Sequence, residues 1–204
     1  MKLDAQQRRA ILTHPAGWIA SGFGSGLSPV APGTTGSAAA LIAWFALREL
    51  PVPIFAAVLV LAFALGVWAS NIVVAKLGID DPGAIVWDEF VGQWIALAPL
   101  LWFARTWPSI IAGFVLFRLF DIWKPWPVCW ADRTIKGGLG VMLDDVFAGI
   151  YAAIVLGIAL RYTGSRCEHG CGRYARWTAV IRFRSGRISA PMLITYRGRR
   201  LVQA

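Results

Sequence analysis

The chain has 204 residues, which is enough for one domain or for one domain and a tail. Hydrophobic residues make up 57% of it and charged residues only 15%, against roughly 25% charged in an average soluble domain. This composition, with a mean hydropathy of +0.60, argues against an ordinary soluble domain and favours a membrane protein.

Almost all of the net charge of +9 belongs to the C-terminal part of the chain. Residues 163–204 hold nine arginines and one acidic residue, whereas residues 1–162 hold 11 basic and 10 acidic residues. The basicity is therefore not a property of the apolar part, and it does not predict binding to nucleic acid. We expect 163–204 to be an Arg-rich, disordered tail, with binding to anionic lipid headgroups as the alternative.

The N-terminal part of the chain is interpreted as a polar segment followed by an uncharged loop. We expect residues 1–17 to be an interfacial segment or a loose end. Residues 18–37 (WIASGFGSGLSPVAPGTTGS) are rich in Gly, Ser, Thr and Pro, which predicts a loop. Such a loop, beside a helix N-terminus, can offer backbone N–H groups and hydroxyls to an anion. The alternative is a simple turn in which Thr35 or Ser37 is the N-cap of the next helix.

The remaining apolar runs predict an all-α, membrane-associated helical bundle. We predict helices over 37–50, 54–75, 84–104, 109–123 and 143–161. The run at 54–75 is long enough to span a bilayer, which takes about 20 residues. Several others are shorter and fit buried or re-entrant helices better. Hydropathy therefore indicates a partly embedded bundle, without fixing the number of crossings.

Three acidic positions stand out in this apolar chain. Asp88 and Glu89 are adjacent in IVWDEFVG, Asp121 occurs in FRLFDIWKPWP, and Asp144 and Asp145 are adjacent in GGLGVMLDDVFAG. A charge removed from water costs several kcal/mol unless a cation or hydrogen bonds compensate it. Because carboxylates at membrane depth mark function by default, we expect these residues to converge from separate helices on one site.

Two of these three acidic positions also have a simpler explanation. Arg118, Asp121 and Lys124 follow i, i+3, i+6 spacing and could form a self-contained ion network. Asp144 and Asp145 are expected in the first turn of the last helix, where they could simply cap it. These explanations do not account for the accumulation of six acidic residues between positions 88 and 145.

The candidate ligands are all oxygen atoms, which favours Mg²⁺, Mn²⁺ or Ca²⁺ over Zn²⁺. Mg²⁺ commonly bridges carboxylates and a substrate phosphate. Arg118 and Lys124 could hold the other phosphate oxygens. A metal-activated water, with one carboxylate as the base, is the simplest nucleophile. These features suggest a phosphorylated lipid headgroup as the substrate.

Four stretches of the chain resemble the phosphatidylglycerophosphatase A family. They are GFGSGLSPVAPGTTGS, IVWDEFVG, FRLFDIWKPWP and GGLGVMLDDVFAG, in this order within residues 18–162. The resemblance implies an all-α fold with a central helix surrounded by others. It also implies a Mg²⁺-dependent phosphatase of the bacterial cytoplasmic membrane, multi-pass or deeply embedded, with its active site facing the cytoplasm. The implied reaction converts phosphatidylglycerophosphate to phosphatidylglycerol and inorganic phosphate, in phospholipid biosynthesis.

The resemblance also implies a set of site residues. Carried over to matching positions, the catalytic and metal-binding candidates are Asp88, Glu89, Asp121, Asp144 and Asp145. The substrate-binding candidates are the basic pair Arg118 and Lys124 and the loop residues Ser25, Ser28, Gly33 and Thr34. Its implied partners are the phospholipid substrate and the bilayer, and no obligate protein partner is expected.

Two other functions remain as alternatives at this stage. One is another Mg²⁺-dependent phospholipid phosphotransferase that uses the same carboxylates. The other is a small membrane cation transporter in which the acids form the ion path. The acids cluster beside glycine loops and short helices rather than midway along long spans, which disfavours the transporter.

Overall fold

The computed structural model describes residues 5–79, 82–103, 105–170, 177–181 and 192–196. The chain divides into two units, Met1–Leu160 and Arg161–Ala204. The helices are α1 Ala5–Leu12, α2 Pro15–Ala20, α3 Pro32–Leu47, α4 Val52–Leu77, α5 Trp87–Leu97, α6 Trp107–Trp123, α7 Val128–Thr134 and α8 Gly137–Gly170. Short 3-10 turns occupy Ser25–Leu27 and Ala98–Leu101. The predicted all-α class is confirmed in the first unit.

The second unit contains a short β-ribbon. Strand β1 (Trp177–Ile181) pairs antiparallel with β2 (Met192–Tyr196), and Trp177 lies opposite Tyr196. The rest of the predicted tail, at 171–176, 182–191 and 197–204, lies outside the described residues. The expectation of a disordered tail therefore stays a prediction.

Helix α5 is the central helix of the first unit, as the resemblance implied. Nine of its eleven residues are buried, including Glu89 and Gln93, and it packs against α3, α4 and α6. Gly92 permits a close approach on two sides, because a Cβ there would meet the ring of Phe117 on α6 and the backbone of Asp145 on α8. The indole N–H of Trp87 donates to the carbonyl of Ala62 on α4, at 2.9 Å. These contacts fix the position of the first turn of α5, which carries Asp88 and Glu89.

Within the described residues, two helices are long and apolar enough to cross a membrane, α4 and the Gly137–Thr163 part of α8. Only 22% of the most apolar 18-residue stretch of α4 is buried, so most of this hydrophobic surface faces outward. Helix α6 has a similar exposed stripe at Ile111, Val115, Leu119 and Ile122. Helices α3 and α6 are shorter, with 16 and 17 residues. The prediction of a bundle that mixes long helices with shorter ones is therefore met.

Two helix starts differ from the prediction by five or six residues, and both differences affect the site. Helix α3 begins at Pro32, after Ala31 in a left-handed conformation (φ 46°), so neither Thr35 nor Ser37 is its N-cap. Proline at the first helical position is favourable because its missing N–H needs no partner there. The predicted loop over 18–37 is thus shorter than expected, and Gly33 and Thr34 lie in the first turn of α3.

Helix α8 begins at Gly137, six residues before the predicted start. Asp144 and Asp145 therefore lie in the third turn of the helix and not in its first turn. Capping of the helix N-terminus, the simpler explanation for these two carboxylates, is wrong. Their burial (8% and 3% exposed) has to be explained by their surroundings.

Candidate active site

Five helices (α3, α5, α6, α7 and α8), the loop before α5 and the segment after α7 line a polar pocket of about 300 Å³. The start of α3 contributes Pro32 and Gly33, the start of α5 contributes Asp88 and Glu89, and α6 contributes residues from its C-terminal end. Among the residues lining the pocket are all five predicted carboxylates and both predicted basic residues: Asp88, Glu89, Asp121, Asp144, Asp145, Arg118 and Lys124. The expected convergence of residues from separate helices is therefore present in the fold.

At the inner side of the pocket, Glu89 is held between α3 and α6. Its Oε2 accepts hydrogen bonds from the Ser37 hydroxyl and from Arg118 Nη1. Ser37 is fully buried and lies one helical turn after Gly33 on the same face of α3. A Cβ at Gly33 would overlap Glu89 Oε1, so only glycine leaves room for this carboxylate. The small residues Gly33 and Ser37 of α3 thus determine the space available to the Glu89 carboxylate.

Arg118 links two of the predicted carboxylates. In addition to Glu89, its Nη1 pairs with Asp121 Oδ2 at 2.9 Å, one turn further along α6. Burial alone would lower the pKa of Arg118, but the neighbouring Glu89 and Asp121 charges outweigh it and raise the pKa. The guanidinium is therefore a fixed positive charge at the wall of the pocket.

Lys124 also lines the pocket. It ends α6 in a left-handed conformation (φ 46°), and its Nζ pairs with Asp132 at 2.6 Å and with Asp144 at 2.9 Å. Burial acts to lower the pKa of Lys124, but the hydrogen bond that Lys124 donates to Asp132 and the charge of Asp144 raise it. Lys124 thus connects the end of α6 to α7 and to the third turn of α8.

Burial raises the pKa of Glu89 from 4.5 to about 7, and the charge of Asp121 acts in the same direction. The attraction of Arg118 and the hydrogen bonds from Arg118 and Ser37 lower it, but they do not compensate for the lost hydration. Glu89 can therefore exchange a proton near neutral pH.

The pocket is richer in acids than in bases. Six carboxylates line it, including Asp132, against the three basic side chains of Arg118, Lys124 and Lys136. Asp145 lies within electrostatic range of four of the other carboxylates. Among the residues that the structure describes, no three His, Cys, Asp or Glu side chains are close enough to hold a metal ion as they are placed. The donor chemistry, all oxygen with an excess of negative charge, nevertheless suits a hard divalent cation.

The loop candidates are placed differently from the acids. The Ser25 hydroxyl donates to the Gly22 carbonyl and the Ser28 hydroxyl donates to the Val30 carbonyl, both at 2.8 Å. Thr34 is exposed on α3. None of these three is among the residues lining the pocket, whereas Gly33 is. Their predicted role in substrate binding has no contact in the pocket to support it.

Three polar residues of the site were absent from the predicted set: Ser37, which contacts Glu89, and Asp132 and Lys136, which line the pocket. Ser37 was considered only as a helix cap, although i, i+4 spacing from Gly33 places it on the same face once the helix starts at Pro32. Asp132 was counted among the acids but given no role, and Lys136 was not singled out. Asp132 and Lys136 both follow the exposed Trp126 and Trp130. An acidic and a basic residue directly after the FRLFDIWKPWP motif were the sequence signal that could have identified them.

The comparisons with known proteins bear directly on this pocket. The family profile of Phosphatidylglycerophosphatase A matches residues 18–160, which include every residue lining it. The chain belongs to the phosphatidylglycerophosphatase A family. It is 43% identical to Phosphatidylglycerophosphatase A of Escherichia coli strain K12 over 153 residues, covering 75% of this chain and 88% of that protein.

Two further relatives agree with this assignment at the level of a lipid phosphatase. Phosphatidylglycerophosphatase A of Haemophilus influenzae is 44% identical over 156 residues, covering 76% of this chain and 94% of that protein. A Bacteroides thetaiotaomicron protein, whose name proposes a phosphatidylinositol-3-phosphatase, is 46% identical over 147 residues, covering 69% of this chain and 91% of that protein. No solved structure matches the chain. The family membership makes this protein a phosphatase, and the residues 163–204 lie beyond the matched region.

Proposed function

We propose that this phosphatase removes the terminal phosphate of phosphatidylglycerophosphate, giving phosphatidylglycerol and inorganic phosphate in phospholipid biosynthesis, with Mg²⁺ as its cofactor. The observation that carries the proposal is the convergence of five carboxylates, Arg118 and Lys124 in one pocket of a chain that matches the family over 18–160. A phosphomonoester at the bilayer surface can enter such a pocket while its acyl chains stay in lipid.

The carboxylates would hold the cation, with Asp88, Glu89, Asp121, Asp144 and Asp145 as the candidates. When bound, Mg²⁺ would neutralise phosphoryl charge and lower the pKa of a water molecule. Arg118 and Lys124 would orient the phosphate, because each lines the pocket and is fixed by two carboxylates. Glu89, with its pKa near 7, suits the role of the group that accepts a proton from the attacking water.

The apolar outer surface of α4, α6 and α8 supports a position within the bacterial cytoplasmic membrane. Helices α3, α5 and α8 begin at the pocket, and α6 ends there, so the pocket lies toward one end of the bundle. The basic residues Lys124 and Lys136 line the pocket, whereas Arg48 and Arg105 form an ion-pair group with Glu49 at the other end. The basic residues around the pocket support an orientation with this end on the cytoplasmic side.

A second candidate substrate follows from the Bacteroides relative, whose name points to phosphatidylinositol 3-phosphate. Both substrates are phosphomonoesters on a phospholipid headgroup, so the same carboxylates and cations could act on either. The headgroup attached to the phosphate would then decide the specificity.

The test is phosphate release by the purified full chain in detergent micelles. Phosphatidylglycerophosphate, phosphatidylinositol 3-phosphate and phosphatidic acid are compared, each with Mg²⁺ and with a chelator. We expect the first substrate to be hydrolysed at least tenfold faster than the others, and only with Mg²⁺. Preference for another phosphomonoester, or equal rates in the chelator, would contradict the proposal.

Variants of four acids separate catalysis from contaminating activity in the same assay. Asp88→Asn, Glu89→Gln, Asp121→Asn and Asp145→Asn should each nearly abolish phosphate release in a folded protein. Retained turnover in two of the four would show that the acids do not act as one site.

Transfer of the headgroup from a CDP-linked alcohol would favour the phosphotransferase, and cation flux in liposomes would favour the transporter.

A further inference from the structure

The first turn of α8 is held in place by α4 and not by its own sequence. It contains three glycines, at 137, 138 and 140, and glycine in a helix is about 1 kcal/mol less favourable than alanine. Gly137 adopts a left-handed conformation (φ 74°). Intrinsic propensity therefore favours a loop here, consistent with the helix start predicted at residue 143, and an external contact has to stabilise the observed helix start.

Asn71 of α4 supplies that contact. Its Oδ1 accepts the backbone N–H of Gly138 at 2.7 Å, which is the bond that an N-cap side chain would normally make within one helix. A Cβ at Gly138 would collide with the Val67 carbonyl and the Asn71 backbone nitrogen, so the two backbones lie in direct contact. One turn later, a Cβ at Gly66 would meet the Met142 side chain. The start of α8 is thus docked on α4 through small residues and one hydrogen bond.

This docking determines where two of the site carboxylates lie. Gly137 and Gly140 line the pocket themselves, and Asp144 and Asp145 follow on the same helix, within about two turns of Gly138. A rotation or fraying of the first turn would carry Asp144 away from Lys124, with which it pairs at 2.9 Å. Asn71 does not line the pocket, so it would act on the reaction only through α8.

We propose that Asn71 is a positioning residue, whose side-chain oxygen caps α8 from a neighbouring helix and thereby sets the placement of Asp144 and Asp145. The kinetic consequence depends on the proposed hydrolysis at this pocket, whereas the capping itself does not. The proposal gives α4 a role in the site beyond its contact with the bilayer.

The test compares Asn71→Leu, which removes the acceptor, with Asn71→Asp, which keeps an acceptor at the same distance. Val60→Ala is the matched control, because Val60 is an exposed residue on the same helix. Hydrogen exchange of the 137–143 segment in the metal-free full chain reports on the cap directly. We expect exchange to accelerate about tenfold in Asn71→Leu, and to stay within about twofold of the unmodified chain in Asn71→Asp and Val60→Ala.

Two functional measurements then separate positioning from general destabilisation. In Asn71→Leu we expect Mn²⁺ binding, followed by the loss of free Mn²⁺ signal in electron paramagnetic resonance, to weaken about tenfold. We expect kcat for lipid phosphate release to fall by a similar factor with KM little changed, and both properties to be restored in Asn71→Asp.

The outcomes decide the proposal separately from the proposed function. Unchanged exchange in Asn71→Leu, or equal effects of Leu and Asp, would overturn the capping role. A lowered thermal midpoint with unchanged Mn²⁺ binding and kcat would make the residue structural only, and would also overturn it. If the unmodified chain releases no phosphate from the lipid, the proposed function fails, but exchange and Mn²⁺ binding still test Asn71.

Discussion

Gly33 offers the sharpest test of how the pocket is built. Its added methyl group in Gly33→Ala would overlap Glu89 Oε1 and come within 3.1 and 3.2 Å of the two terminal nitrogens of Arg118. Glu89 cannot simply rotate away, since Ser37 and Arg118 hold its other oxygen. The carboxylate and guanidinium would both have to shift, by on the order of 1 Å, and a misplacement of this size can lower the rate about 100-fold.

The effect on stability should be much smaller than the effect on activity. Alanine is better than glycine in a helix by about 1 kcal/mol, and this gain offsets part of the 1–3 kcal/mol that overpacking typically costs. We therefore expect a thermal midpoint within a few degrees of that of the unmodified chain, and a kcat/KM for phosphate release lowered roughly 100-fold.

Gly83→Ala is the matched control for this experiment. Gly83 lines the same pocket, but a Cβ there would meet no atom within 4 Å. This variant should keep its activity within about threefold of the unmodified chain. Full activity in Gly33→Ala, or an equal loss in both variants, would refute the argument that Glu89 and Arg118 must keep their present positions.

Three further predictions follow from the site and from the domain organisation. Lys124→Ala should mainly raise KM for the lipid, by about tenfold, because it removes a phosphate contact; an unchanged KM with a collapsed kcat would assign Lys124 to another role. With a chelator present, Glu89 in the folded state keeps its proton up to a pKa of about 7, whereas in the unfolded state it releases the proton near 4.5. The free energy of unfolding should therefore fall as the pH rises from 4.5 to about 7, by up to about 3 kcal/mol. Thermal midpoints should show a weaker pH dependence in Glu89→Gln, and an identical slope would contradict this explanation. A chain that ends after Thr163 should keep its phosphatase activity, since the family match ends at residue 160; inactivity of a folded truncation would give the Arg-rich segment a role in the reaction.

The position of the acids could be predicted from the sequence because burial of charge is costly in any fold. Asp88, Glu89 and Asp121 stand in apolar motifs, and a shared site was the economical explanation for all of them. The helices that carry them could be predicted as well, since apolar runs bounded by prolines leave few alternatives. The family resemblance implied a central helix without naming it, and the burial of α5 in the structure identifies that helix.

The start of α8 could not be predicted, because local propensity and tertiary contact disagree there. Gly137, Gly138 and Gly140 favour a loop when they are considered alone. The close backbone approach that they permit to Val67 and Asn71 is visible only in the folded chain. The same limit applies to Ser25 and Ser28, whose hydroxyls satisfy carbonyl groups of their own loop. Composition shows that hydroxyls are present, but not which acceptors they reach.

Binding of Mn²⁺ to the purified chain tests most directly whether carboxylates from three helices share one divalent cation. Asp88 lies on α5, Asp121 on α6 and Asp145 on α8, so Asp88→Asn, Asp121→Asn and Asp145→Asn each remove one acid from a different element. Titration followed by electron paramagnetic resonance should show at least tenfold weaker binding in each variant than in the unmodified chain, while Gly83→Ala binds normally. Unweakened binding in the three acid variants would contradict the shared cation site.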